Sequence, residues 1–147
     1  MSGSAEKGVV VLFDDDPQER LRIERLLAGD YEIICESNLD QCARDESSTF
    51  NVLKDLKPER IKAIVVDLID NLNGPKRGWP GERIFRRMRE RFPKGRGTPV
   101  VVLSVLVDDS GRVKEDQLTH LTEFADAIFP KSDDGYQGLR RFLESDR

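Results

Sequence analysis

The sequence predicts an α/β domain: a parallel five-stranded sheet in the order 2-1-3-4-5, covered by helices on both faces. Three observations predict it. Short apolar runs alternate with helical patterns five times, as in a repeated strand–helix unit. Runs one, three and four are apolar throughout, as strands buried on both faces are, whereas two and five are shorter or more mixed and suit the edges. The 147 residues fit one domain with a two-sided core. Residues 1–7 (MSGSAEK) read as a flexible tail and 8–147 as the domain.

Strand one is VVVLF, residues 9–13, with Pro17 at the first position of the helix that follows. That helix, PQERLRIERLLAG, places Leu21, Leu26 and Leu27 on one face with Ile23 flanking, and Gly29 stops it. Strand two, YEIICES, alternates Tyr31, Ile33 and Cys35 against Glu32, Ile34 and Glu36, the pattern of an edge strand wetter on one side. Residues 38–57 fit one broken helix or two short ones. The preferred reading is a helix near 49–57, where Phe50, Leu53 and Leu56 share a face. Strands three (61–67, IKAIVVD) and four (99–104, PVVVLS) are central. Between them, Ile84, Phe85, Met88 and Phe92 fall at helical spacing. EDQLTHLTEF is a fourth helix, ADAIFP the last strand, and GYQGLRRFLES the closing helix.

The charged fraction of 35% and net charge of -4 describe a well-solvated, mildly acidic surface and argue against whole-surface nucleic-acid binding. No apolar run reaches membrane-spanning length and no secretion signal opens the chain, so a cytoplasmic location is expected. Cys35 and Cys42 match neither a disulfide framework nor a metal-ligand spacing, and are read as reduced thiols. Neither a phosphate-binding Gly-rich loop nor a dinucleotide-binding turn occurs, and no helix-turn-helix is recognisable.

The chemistry stands at the strand ends. Strand one runs into Asp14, Asp15 and Asp16, strand three into Asp67, strand four into Ser104, and strand five reaches Lys131. Parallel strands deliver all of these to one edge, where open sheets bind ligands. Unpaired, the carboxylates would repel one another or protonate. A hard divalent cation such as Mg²⁺, which takes carboxylate and phosphoryl oxygens, resolves this. Bland readings stand beside the functional one. Asp14 and Asp15 also fit loop solvation, Asp67 and Ser104 caps or turns, and Lys131 a solvated charge. Asp16 reads as an N-cap, with Glu19 completing a partial capping box.

In these residues, over 8 to 145, the chain resembles the receiver domains of two-component response regulators, which have a flavodoxin-like (βα)5 three-layer sandwich fold. The resemblance implies Asp67 as phosphoacceptor, Asp14, Asp15, Asp67 and the backbone carbonyl of Ile69 as Mg²⁺ ligands, and Ser104 and Lys131 as contacts to the phosphoryl group. It implies a histidine kinase or phosphotransfer protein as donor, and catalysis only of the chain's own aspartyl phosphorylation and dephosphorylation. A downstream protein partner would bind the face of strand four, helix four and strand five, with no direct contact to nucleic acid or membrane. The chain ends just after the closing helix, so a stand-alone receiver without an output domain is expected.

The chain departs from the family pattern in several places. The loop LIDNLNGPKRGWPG after Asp67 is long and lacks Met-Pro, Val105 replaces a small residue, and VDDSGRVKED is a polar insertion. Proline precedes Lys131 instead of following it, so no cis bond is expected after the lysine. The aromatic switch position falls on Ile128, with Phe129 facing the other way. Two other readings remain open. One is a receiver-like adaptor that is never phosphorylated. The other is a haloacid-dehalogenase-like phosphatase using Asp14-x-Asp16, Ser104 and Lys131, although Pro17 stands where that family has glycine. His120 reads as exposed, Asp70 as a turn residue, and Trp79 as a loop anchor. The nine basic residues over 76–97 read as a solvated helix face.

Overall fold

The computed structural model describes residues 7–27, 29–67, 80–95, 97–104 and 123–145. The strands are β1 (Gly8–Phe13), β2 (Tyr31–Glu36), β3 (Ile61–Val66), β4 (Val100–Ser104) and β5 (Ala127–Pro130). They form one parallel sheet in the order β2-β1-β3-β4-β5, as the sequence predicts. The helices are α1 (Pro17–Leu27), α2 (Leu39–Arg44), α3 (Glu46–Asn51), α4 (Pro80–Arg91) and α5 (Asp133–Glu144), with a 3-10 turn at Pro58–Arg60.

Strand alternation divides the core in two. Val9, Val11 and Phe13 of β1 face Leu39, Leu53, Ile84, Phe85 and Met88 on one side. Val10 and Leu12 face Ile23, Leu27, Tyr136, Leu139 and Leu143 on the other. Residues 9–13 are at most 1% exposed, which explains the unbroken apolar run. Each such side chain contributes about 1.5–3 kcal/mol of transfer free energy. Ile128 and Phe129 pack on opposite faces, as expected from a strand.

Three local expectations are corrected. The buried face of α1 carries Ile23 and Leu27, whereas Leu21 is exposed. The face is set by the 19, 23, 27 series, one helical turn apart, and not by the leucines alone. Residues 38–57 form two short helices ending at Asn51, followed by turns, instead of a helix over 49–57. Asn38 and Asp45 each cap a helix with a side-chain oxygen, and Asp45 also ends α2, so the chain restarts there. Phe50, Leu53 and Leu56 still reach the core. Finally, the basic stretch is not simply solvated. Arg87 donates to Cys42 O, Ala43 O and Thr49 Oγ1. Arg89 donates to Phe92 O, Phe124 O and Asp126 Oδ2.

Gly29, at φ +85°, ends α1 in a conformation that favours glycine. Both cysteines are free thiols; burial pushes Cys35 up to about 11 and Cys42 to about 12. No helix among the described residues is long and apolar enough to cross a membrane. Residues 115–122 of the helix expected over 115–124, residues 68–79 of the long loop, with Ile69, Asp70 and Trp79, and Val105 and His120 lie outside the described residues.

Candidate phosphoacceptor and metal site

The sheet brings the acids together through its hydrogen-bond ladder. Asp14 N donates to Glu36 O at 3.2 Å and Asp67 N to Phe13 O at 3.0 Å, so each aspartate is fixed one rung beyond its strand. One carboxylate oxygen from each of Asp14, Asp15 and Asp67 lies within 4.8 Å of the others, and all three residues are buried. Acid oxygens gathered this closely fit a hard divalent cation.

Lys131 leaves β5 and reaches across the sheet edge. Its Nζ lies 2.7 Å from Asp14 Oδ2 and 3.0 Å from Asp67 Oδ2. The side chain is only 6% exposed, so this lysine is not a solvated surface charge. Burial disfavours its charge, but the Asp67 and Asp14 carboxylates outweigh burial and raise its pKa above the usual lysine value. The Asp14 pKa is raised as well, up to about 6. Burial is the largest cause and the Asp67 charge the next, with Lys131 pulling back only in part.

Ser104 is fully buried at the end of β4, opposite Pro130 and therefore beside the residue that precedes Lys131. Asp16 stands apart: its Oδ1 accepts from Gln18 N at 2.9 Å, the N-cap role the sequence predicts. The capping box does not form. Glu19 instead is 1% exposed and takes the Tyr136 hydroxyl on both carboxylate oxygens at 2.8 Å. Burial raises the Glu19 pKa. Sequence reasoning missed this pair. The available signal was the spacing 19, 23, 27, which puts Glu19 on the buried face with Ile23 and Leu27.

Neither a protein-family model nor a curated protein sequence matches this chain. Solved structures do. A response regulator from Thermotoga maritima aligns at TM-score 0.61 and 22% identity, over 95% of this chain and all of that one. The N-terminal signal receiver domain of a two-component response regulator from Bacteroides fragilis aligns at 0.60 and 17%, over 95% of both chains. The chain has the fold of a response-regulator receiver domain. A third receiver-fold neighbour is the BeF3-activated receiver domain of DrrB, also from Thermotoga maritima, at 0.58 and 19% over 95% of this chain and 99% of that one. Across this fold the carboxyl edge of the sheet carries Asp14, Asp15, Asp67, Ser104 and Lys131, the residues singled out by their places in the sequence.

Proposed function

We propose that this protein is a two-component signalling receiver that accepts a phosphoryl group on Asp67 from a histidine kinase or phosphotransfer protein. One observation carries the reading: three buried carboxylates from two neighbouring strands share a space under 5 Å across, with one buried ammonium on two of them. A stability-driven sequence has no use for such a cluster, since an apolar set would fill the space at less electrostatic expense.

Asp14, Asp15 and Asp67 would hold Mg²⁺, together with the carbonyl of Ile69. Bound there, Mg²⁺ offsets the negative charge that builds on the phosphoryl oxygens in transfer. The chain's own groups do the rest. An Asp67 carboxylate oxygen attacks phosphorus, the bond from phosphorus to the donor nitrogen breaks, and its electron pair leaves with that nitrogen. Lys131 would release Asp67 and pair with a phosphoryl oxygen. Ser104 would donate a hydrogen bond to another, and its shift would bias the β4–β5 face towards a partner. The loop after Asp67 and Val105 would set how readily a donor gains access.

Incubation with acetyl phosphate and Mg²⁺, followed by intact-mass and peptide measurements, tests this. The expected result is a gain of one phosphoryl group on Asp67, absent in Asp67→Asn and in chelator. No gain, or an undiminished gain in Asp67→Asn, overturns it; modification of Asp14 instead would favour the phosphatase reading. That reading has less support, because the second acid it needs, Asp16, caps α1. Partner binding that survives Asp67→Ala unchanged would favour the adaptor.

A further inference from the structure

Glu19 and Tyr136 play no part in the chemistry just described, yet both are buried polar groups beside it. They close a circuit. Lys131 Nζ lies 2.7 Å from Asp14 Oδ2. Asp14 Oδ1 accepts from Asp16 N at 3.0 Å, and Asp16 O accepts from Glu19 N at 3.0 Å. The Glu19 carboxylate takes the Tyr136 hydroxyl at 2.8 Å. Tyr136 N donates to Ser132 O at 2.9 Å, and Ser132 adjoins Lys131.

The segment between Lys131 and Tyr136 is tightly held. Ser132 Oγ accepts from Gly135 N at 3.3 Å to cap α5. A Cβ on Gly135 would lie 1.7 Å from Pro130 O, so the first turn of α5 is pressed on the end of β5. On the other side, Arg22 Nη1 donates to the Tyr136 hydroxyl at 3.0 Å, lies 3.4 Å from Glu19 Oε1, and stacks its guanidinium 5.3 Å from the ring centre. From Asp16 onward the circuit, through Glu19, Tyr136 and Ser132, reaches the root of Lys131 by a route outside the acidic cluster.

We propose that Glu19 and Tyr136 are positioning residues for phosphoryl transfer to Asp67. Their hydrogen bond keeps Lys131 in place when Asp14 and Asp67 turn to other partners. This rests on the functional reading above, in which both aspartates are wanted by the cation and the phosphoryl group. Lys131 then needs an anchor that does not compete for them, and a tether between α1 and α5 is that anchor.

Tyr136→Phe removes one hydroxyl and keeps the ring. Glu19→Met breaks the bond from the other side while keeping bulk, and Glu19→Gln keeps an acceptor oxygen for Tyr136. Phosphoryl gain from acetyl phosphate is followed against Mg²⁺ concentration to separate limiting rate from half-saturating Mg²⁺. Acylation of Lys131 by an amine reagent is followed by peptide mass spectrometry with Mg²⁺ present. Tyr136→Phe and Glu19→Met are expected to lower the limiting rate about tenfold, move half-saturating Mg²⁺ by less than about twofold, and speed labelling of Lys131. Glu19→Gln should stay within about threefold of the parent on every measure. Parent-like rate and labelling in both bond-breaking variants overturn the proposal, as does an equal loss in Glu19→Gln. If the parent chain gains no phosphoryl group, the functional reading fails and labelling decides the tether. Faster labelling in Tyr136→Phe than in Glu19→Gln upholds it, and equal labelling overturns it.

Discussion

Lys131 Nζ lies closer to Asp14 Oδ2, at 2.7 Å, than to the proposed phosphoacceptor Asp67, at 3.0 Å. One ammonium therefore bridges two carboxylates that would otherwise repel each other across the β1–β3 seam. The pairing makes Lys131 part of the resting structure, beside the phosphoryl role proposed for it.

Removing that ammonium should be costly. In Lys131→Met, the two buried acids lose their shared partner, and the chain without Mg²⁺ is expected to lose about 2–4 kcal/mol of stability. Saturating Mg²⁺ should restore much of this, because a cation at the cluster does the same electrostatic work. Denaturant midpoints with and without Mg²⁺ measure both, and an unchanged midpoint in the metal-free variant would contradict the arrangement.

Asp14→Asn should act in the opposite direction. The Asp14 carboxyl titrates at about 6 instead of 3.8, so at neutral pH its ionised form is less comfortable folded than unfolded. A neutral isostere is expected to stabilise the metal-free chain by about 1–3 kcal/mol. The same change removes a proposed metal ligand, so the stabilisation that Mg²⁺ gives should shrink. Thermal melts of parent and variant over a Mg²⁺ series read both effects.

The sign of the pH dependence follows from the same shift. Between the ordinary value near 3.8 and the folded value of about 6, folded Asp14 binds a proton that the unfolded chain has released. Its contribution to metal-free stability is thus full below that window and is lost as pH rises through it. Mg²⁺ bound as proposed would take the ionised acid, so its stabilising effect should be large above pH 7 and small at about pH 5. Melting points with and without Mg²⁺ across this range should converge on the acid side.

Arg87 offers a prediction remote from the site. Its guanidinium serves Cys42 O, Ala43 O and Thr49 Oγ1, fastening α2 and α3 to α4. Arg87→Ala leaves these acceptors with fewer donors and should reduce stability by about 2–3 kcal/mol. Arg87→Lys should recover only part, because one ammonium cannot span the fork. Denaturation, together with protease cleavage within 38–52, would report the loosening.

The strands and their order were legible because burial on two faces leaves an unbroken apolar run, and sequence order with edge hydropathy fixes the neighbours. The places of Asp14, Asp15, Asp67, Ser104 and Lys131 were legible for the same reason, each being the residue that a strand delivers to the carboxyl edge. Residues 38–57 were harder. Asp45 ends one helix and caps the next, and nothing local distinguishes that from a single interrupted helix.

Side-chain partnership belonged to the tertiary structure alone. Glu19 looks like a capping residue until Tyr136, 117 residues away, is placed over it. Arg87 looks solvated until α2 ends beside it, and the choice of Asp14 as well as Asp67 as partner for Lys131 appears only once β5 is set beyond β1 and β3. Sequence by itself determined which backbone segments are buried, since that depends on hydropathy along the chain. Which buried charges meet depended on contacts between distant segments, and those exist only once the sheet and its helices have packed.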